Sequence, residues 1–167
     1  LSYDFNRSGS NSVDDLNGHG THTASTVAGS GVESNGKYVG MAPGAQLLIG
    51  KVLNDAGGGL TSGILSGMQW AVDNGADIVS MSLGGSATSC SGPLVDMLEE
   101  LSDDALFVVS AGNSFTRETV GSPGCAPSAL TVGAIDRIGQ TAEFSSRGPS
   151  PDGHSAKPDI TSQGVAV

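Results

Sequence analysis

Hydrophobic positions along the chain alternate between short apolar runs and segments with helical spacing. Helical spacing is seen from Thr61 to Asn74, ahead of Gly75, and again from about Pro93. The apolar runs predict strands at residues 46–53, 77–83, 106–110 and 130–135. Strands that alternate with helices are joined by right-handed crossovers and form parallel sheets. The pattern therefore predicts an α/β fold of three layers, in which helices cover both faces of a mainly parallel sheet.

Two of the predicted strands end in small and polar residues. The strand at 77–83 runs into Ser82-Leu83-Gly84-Gly85, and the strand at 106–110 runs into Ser110-Ala111-Gly112-Asn113. Active groups of open parallel sheets gather at the carboxyl ends of the strands. The Asn113 side chain is a neutral hydrogen-bond donor, which suits an oxyanion that forms only in a transition state.

A histidine among small residues marks the start of another predicted helix, in Asn17-Gly18-His19-Gly20-Thr21-His22. The small neighbours of His19 leave room for a substrate carbonyl, so a catalytic imidazole is the functional interpretation, and a histidine in a glycine-rich turn is the alternative. His22 follows at i+3, whereas a helical zinc pair needs i+4 and a Glu, so we expect it to be structural. His154 lies in a loop composition and is expected to be exposed.

These segments and several others occur in the order found in one enzyme family. The chain resembles the subtilisin-like serine proteases, the subtilases. The matching motifs are His19-Gly20-Thr21-His22, Val39-Gly40-Met41-Ala42-Pro43, Lys51-Val52-Leu53, Ser82-Leu83-Gly84-Gly85, Ser110-Ala111-Gly112-Asn113, Phe144-Ser145-Ser146-Arg147-Gly148 and Lys157-Pro158-Asp159-Ile160. One departure is Ser162-Gln163, where the family has Ala-Pro, and it puts the local loop shape in doubt.

The resemblance implies a role for each candidate site residue. His19 would be the general base and Asn113 the oxyanion donor of a serine endopeptidase. An extended polypeptide substrate would pair with the loop Gly57-Gly58-Gly59, although turn chemistry alone also accounts for these glycines. The specificity pocket would have room for a large apolar or aromatic side chain, and its walls would be Ser82, Leu83, Gly84, Ala111 and Gly112.

Two members of the family's catalytic triad have no counterpart in the chain. The nucleophile motif Gly-Thr-Ser-Met-Ala does not occur, and Asp4, Asp14 and Asp15 do not match the family's Asp-Thr/Ser-Gly turn. We expect these three to be solvated loop carboxylates. Residues 1–167 are therefore predicted to be an internal segment of a catalytic domain, inactive alone. The alternative class is a non-catalytic pseudoprotease or a peptide-binding structural module.

Composition and charge limit the classes of binding partner and the cellular location that the chain would suit. The net charge of −10 over 167 residues argues against nucleic acid and anionic membranes, and no apolar stretch approaches the roughly 20 residues that span a bilayer. By the resemblance, the full-length protein is expected to be secreted and monomeric. Cys90 and Cys125 are the only cysteines, and a disulfide between them is favoured over two free thiols. The chemistry requires no cofactor, and a structural calcium near Glu33, Asn35 and Gly36 is an open expectation.

Overall fold

The computed structural model describes residues 1–6 and 12–166. The chain divides into two compact units, residues 1–71 and 72–167. The first unit and its boundary contain β1 (Ser2–Asp4), α1 (His19–Ala28), a 3₁₀ turn (Val32–Ser34), β2 (Ile49–Lys51) and α2 (Thr61–Asp73). The second unit contains β3 (Ile78–Met81), α3 (Pro93–Leu101), β4 (Leu106–Ser110), β5 (Leu130–Ile135) and β6 (Ile160–Gln163).

In the first unit, β1 and β2 pair in parallel, with Ser2 opposite Ile49. Beyond β1 the Phe5 N–H donates to the Lys51 carbonyl at 2.9 Å, and the side-chain amide of Asn6 donates to the carbonyl oxygens of Lys51 and Leu53 at 3.0 and 2.8 Å. Three aromatic rings then gather beside this small sheet, with Phe5 4.7 Å from Tyr3 and 5.7 Å from Trp70 between ring centroids. Aromatic packing thus joins β1 to α2.

In the second unit, four parallel strands form one sheet in the order β3-β4-β5-β6. Side chains alternate between the two faces, and the faces differ in burial. One face is buried, as at Met81, Phe107 and Val109, and α3 adds further buried apolar side chains. The opposite face is more open and apolar, with Ile78 and Ile160 61% and 48% exposed.

An ion pair between buried Lys157 and partly exposed Asp159 fixes β6 beside β5. The Lys157 ammonium donates to the Asp159 carboxylate at 2.7 Å and to the Ala129 carbonyl at 2.6 Å. The same carboxylate oxygen of Asp159 accepts the backbone N–H of Thr131, in β5, at 2.7 Å. The Lys157 side chain is only 2% exposed. The Lys-Pro-Asp motif thus has a structural use at the start of the last strand.

The structure confirms the α/β class and the parallel pairing of strands. The strands form two sheets, one in each unit, where the sequence predicted one sheet. The strand predicted at 46–53 is shortened to Ile49–Lys51. Two strands were not predicted, and β6 includes the unusual Ser162-Gln163 pair. In the described part of the chain, no helix is both long and apolar enough to cross a membrane.

Candidate active site

His19 is the first residue of α1, and its side chain is exposed. The helix begins after Gly18, whose φ of 91° places it in the left-handed region that glycine adopts without strain. The Gly18 carbonyl accepts the backbone N–H of His22 at 2.9 Å, which closes the first turn. The small residues on either side of His19 therefore form a tight turn that leaves the imidazole open to solvent.

The N-terminus of α1 is capped by a carboxylate that lies before the helix. Asp15 Oδ2 accepts the backbone N–H and the hydroxyl of Thr21 at 2.7 and 2.8 Å. Asp15 Oδ1 accepts the backbone N–H groups of Gly18 and Asn17 at 2.8 and 3.1 Å. Free N–H groups at a helix N-terminus are normally satisfied by the residue at the cap position, which here is a glycine without a side chain. Asp15 supplies the missing acceptor.

These contacts also perturb the acidity of Asp15. Hydrogen bonds from the backbone of Thr21 and Gly18 and from the Thr21 hydroxyl stabilise the carboxylate and lower its pKa from 3.8 to about 2. The expectation that all three acidic residues are solvated loop carboxylates was therefore wrong for Asp15. It was also wrong for Asp4, which is a partly buried residue of β1 whose Oδ1 accepts the Asn6 backbone N–H. Asp14 is exposed.

Two side chains link the segment before His19 to the loop after β2. Lys51 Nζ donates to the backbone carbonyl of Asp14 and, at 2.6 Å, to the Asp55 carboxylate. The hydrogen bond to Asp55 is the main reason that the pKa of Lys51 is raised. Asn17 Nδ2 donates to the Asp55 carbonyl at 3.0 Å. The loop with Gly57 to Gly59 and the turn before His19 are thus tied together within the first unit.

The loop Gly57-Gly58-Gly59 is a turn organised by Asn54. The Asn54 backbone N–H donates to the Gly58 carbonyl at 2.7 Å, and its side-chain oxygen accepts the backbone N–H of Gly58 at 3.1 Å. Gly57 has a φ of 83°, and a Cβ at Gly59 would lie 2.5 Å from the Val52 carbonyl oxygen. Turn chemistry explains two of the three glycines, and all three are exposed. Substrate pairing at this loop stays a prediction.

A cleft of about 360 Å³ lies in the second unit, at the carboxyl ends of β3 and β4. Five of the predicted site residues line it, and Ala111 is buried beside it without lining it. None of the lining residues is charged, and most are glycines or carry hydroxyl groups. They are Ser82, Leu83, Gly84, Gly85, Ser86, Ser110, Gly112, Asn113, Ser114, Thr119, Gly121 and Ser122.

The cleft walls are joined by backbone pairing. Gly85 and Ser122 each donate a backbone N–H to the other's carbonyl at 2.9 Å, and the Gly121 N–H donates to the Ala111 carbonyl at 3.0 Å. At Gly84 the approach leaves no room for a side chain, since a Cβ there would lie 2.8 Å from the Ser122 carbonyl oxygen. The glycines predicted for this region therefore permit the contact between the walls.

Asn113 is positioned by a buried serine that lies beyond β5. The Ser146 N–H donates to the Gly112 carbonyl at 2.9 Å, and Ser146 Oγ accepts the Ser114 N–H at 3.1 Å. Gly112, with a φ of 103°, turns the chain sharply at this point. Within the described residues the Asn113 amide has no hydrogen-bond partner, and its side chain is exposed. The amide is thus held at the cleft with its donors free.

Cys90 and Cys125 form a disulfide with a Cα–Cα distance of 5.6 Å. Cys125 is fully buried, and its backbone N–H donates to the carbonyl of Gly121, a cleft residue, at 2.8 Å. Cys90 follows the opposite wall at Ser82 to Ser86. The disulfide therefore connects the segments that continue from two walls of the cleft.

Sequence reasoning did not assign Ser146 and Ser122 to the site. Ser146 belongs to the matching motif Phe144-Ser145-Ser146-Arg147-Gly148, but the motif does not reveal its backbone partners. Sequence reasoning also missed Asp15 as a helix cap. His22 and His154 are both exposed. No group of three His, Cys, Asp or Glu residues that could hold a metal ion occurs within residues 1–6 and 12–166.

The residues expected to contribute to a structural calcium lie around the 3₁₀ turn at Val32–Ser34. The carbonyl of Gly31 accepts the backbone N–H groups of Ser34 and Gly36, and that of Val32 accepts the N–H of Asn35. Glu33 lies within the 3₁₀ turn that these bonds close. Two backbone carbonyls are thus engaged by the turn itself, and a structural calcium near Glu33, Asn35 and Gly36 stays a prediction.

Comparison with known proteins agrees with this architecture. A family model described as the Subtilase family matches residues 2–166. Serine protease AprX of Bacillus subtilis (strain 168) is 42% identical over 173 residues, covering 92% of this chain and 39% of that protein. Subtilisin DY of Bacillus licheniformis is 38% identical over 157 residues, covering 92% of this chain and 53% of that protein. The solved structure of Sphericase matches with a TM-score of 0.84 at 32% identity, covering 96% of this chain and 58% of its own. The chain thus spans about half the length of these relatives.

Proposed function

The chain belongs to the subtilase family, and from this membership we propose that it is part of a serine endopeptidase that hydrolyses peptide bonds by acyl transfer. The observation that supports the proposal best is the cleft in the second unit. The residues that follow β3 and those that follow β4 line this one cleft, and the side-chain amide of Asn113 lies there with its donors free. This is the arrangement that an oxyanion site beside a substrate pocket requires.

His19 is the proposed general base. It takes the proton of a serine hydroxyl as the serine oxygen bonds to the substrate carbonyl carbon, and the carbonyl oxygen becomes an oxyanion. Asn113 donates a hydrogen bond to that oxyanion. When the carbon–nitrogen bond breaks, the imidazolium returns the proton to the leaving amine. Water then repeats the sequence on the acyl-enzyme ester, which releases the acid and restores the serine.

The serine and the aspartate of this mechanism are proposed to come from parts of a longer protein. The chain contains no Gly-Thr-Ser-Met-Ala motif and no Asp-Thr/Ser-Gly turn, and it spans 39% and 53% of the two curated relatives. Residues 1–167 are accordingly proposed to be a segment of one catalytic domain, without peptidase activity when isolated.

The cleft is proposed to bind an uncharged substrate side chain. Its volume of about 360 Å³ is large enough for an aromatic side chain, and no lining residue offers a countercharge. Exposed Gly57 to Gly59 would pair with the extended substrate backbone, which binds peptides with little dependence on sequence. The full-length enzyme is proposed to be secreted and monomeric.

Hydrolysis of peptide nitroanilides by the full-length protein that contains this chain tests the proposal. We expect cleavage after Phe and Leu to exceed cleavage after Lys and Glu by at least tenfold in kcat/KM, and the His19→Ala variant to lose the activity. A preference for charged residues would contradict the assignment of the cleft. A folded protein without hydrolysis of any substrate would favour the alternative, a non-catalytic peptide-binding module.

A further inference from the structure

We propose that Asp15 is a positioning residue for His19, and that its carboxylate holds the first turn of α1 in the geometry that proton transfer needs. The inference rests on the proposed function, because it assigns to Asp15 an effect on the general base. Asp15 itself is not proposed to touch substrate.

The hydrogen bonds of Asp15 lie on both sides of His19 in the sequence. One oxygen accepts the N–H of Gly18, the residue before His19, and the other accepts the N–H and hydroxyl of Thr21, two residues after it. A Cβ at Gly20 would lie 3.5 Å from Asp15 Oδ2, so the carboxylate also lies against the intervening turn. The backbone of His19 therefore lies between Gly18 and Thr21, which both donate to the Asp15 carboxylate.

Besides Asp15, the described structure fixes the segment before His19 through the bonds from Lys51 to the Asp14 carbonyl and from Asn17 to the Asp55 carbonyl, and neither bond reaches the residues after His19. No residue of α1 is buried, so packing contributes little to its position. Gly18 and Gly20 flank the histidine, and glycine loses more conformational freedom on folding than any other residue. A Cβ at Gly18 would meet nothing within 4 Å. Asp15 therefore joins the residues on the two sides of His19, which packing does not do.

Displacement of a catalytic group by about 1 Å can reduce a rate about 10²-fold. We therefore expect Asp15→Ala in the full-length protein to lower kcat about 10- to 100-fold, with KM within about threefold of the wild-type value. Asp15→Asn keeps one carbonyl oxygen as an acceptor, and it should fall between the wild type and Asp15→Ala. A role in folding alone would not produce this separation of kcat from KM in folded samples.

The chain offers matched controls. Asp14→Asn makes the same change of charge one residue away, at an exposed carboxylate, and should leave kcat unchanged. Thr21→Val removes the hydroxyl that donates to Asp15, whereas Thr21→Ser keeps it. We expect Thr21→Val to lower kcat by about threefold or more and Thr21→Ser to restore it. These two variants carry the test if Asp15→Ala does not fold.

Amide hydrogen exchange provides a readout that does not need activity. Exchange at Gly18 and Thr21 should be faster in Asp15→Asn than in Asp14→Asn, because the acceptors of these N–H groups are weakened. Equal exchange, or a kcat for Asp15→Ala within twofold of the wild type, would overturn the positioning role. So would a rise in KM with kcat unchanged. If the wild-type protein neither hydrolyses peptides nor reacts with a fluorophosphonate, the proposed function itself fails, and the catalytic role of Asp15 fails with it.

Discussion

Gly85 and Ser122 exchange two backbone hydrogen bonds of 2.9 Å, and this pairing joins two walls of the cleft. The walls come from segments nearly forty residues apart in the sequence. Their approach depends on glycine, since a Cβ at the neighbouring Gly121 would lie 2.5 Å from the Gly85 carbonyl oxygen. The shape of the cleft therefore follows from backbone contacts and not from large side chains.

Gly121→Ala should destabilise the full-length protein by about 1–3 kcal/mol, because the added methyl group forces the two walls apart. Gly85→Ala is the matched control for folding, since a Cβ there meets nothing within 4 Å. Urea unfolding of both variants checks this. Equal unfolding free energies would mean that the wall can relax around the methyl group without cost.

Loss of the disulfide should lower the free energy of unfolding. Cys90 and Cys125 are 35 residues apart, and in the chain-entropy model a bridge of that span stabilises the native state by about 3–4 kcal/mol. Thermal unfolding of Cys90→Ser/Cys125→Ser should show a lower Tm than the wild type, and reduction of the wild type should lower its Tm in the same direction. An unchanged Tm would contradict a stabilising role for the bridge.

Asp159→Asn should cost about 2 kcal/mol at neutral pH, because it removes the charged partner of buried Lys157. Burial raises the pKa of Asp159, but hydrogen bonds from Lys157 and the Thr131 backbone outweigh it, so the pKa lies below 3.8. A lowered native pKa gives stability that is complete above pH 3.8 and is lost as the pH falls through the native pKa.

The unfolding free energies of Asp159→Asn and the wild type should therefore converge below about pH 3.8. Asp103→Asn, at an exposed carboxylate, is the control for a change of charge. A difference from the wild type that stayed constant between pH 7 and 2 would show that ionisation of Asp159 contributes nothing.

Asn113→Ala should reduce kcat with little effect on KM, since the amide donates to charge that develops only in the transition state. In subtilisin, removal of such a donor costs about 10²–10³ in kcat, and we expect a loss of that order here. Steady-state kinetics on the full-length protein measure it. A variant with normal kcat would exclude Asn113 from the oxyanion site.

The isolated 167-residue chain should be unstable or prone to aggregate. One face of the four-stranded sheet presents apolar side chains to solvent, and Ile78, Leu106 and Ile160 are 61%, 44% and 48% exposed. Size-exclusion chromatography and binding of a hydrophobic dye should show association. A monomeric sample with cooperative thermal unfolding would contradict this expectation.

The sequence predicted best those elements whose own residues carry the signal. Helix α3 has apolar side chains at helical spacing and Pro93 at its start, and β5 is a continuous run from Leu130 to Ile135. By contrast, β6 reads Ile-Thr-Ser-Gln, which has no apolar alternation, and all four residues are exposed. Its pairing with β5 and the hydrogen bond from Thr131 to Asp159 hold it in the sheet.

In the candidate site, too, some residues were predicted from local sequence and others depend on contacts made by the fold. Local sequence predicted the glycines and small residues at the strand ends, and the family resemblance assigned these segments to one pocket. The cap at Asp15 depends on a side chain that reaches Thr21 six residues away, which is not a standard capping distance. Ser146 likewise reaches Gly112 and Ser114 only through the fold. Such contacts carry no periodicity, so they could not be predicted from one sequence.

Labelling with a fluorophosphonate probe tests the central claim most directly, because the probe reacts only with an activated serine. It should be applied to the full-length protein, to its His19→Ala variant and to the isolated chain. We expect the full-length protein to be labelled, the variant to be labelled far more slowly, and the isolated chain not to react. Absence of labelling in the folded full-length protein, or labelling that does not depend on His19, would contradict the assignment of a serine endopeptidase with His19 as its base.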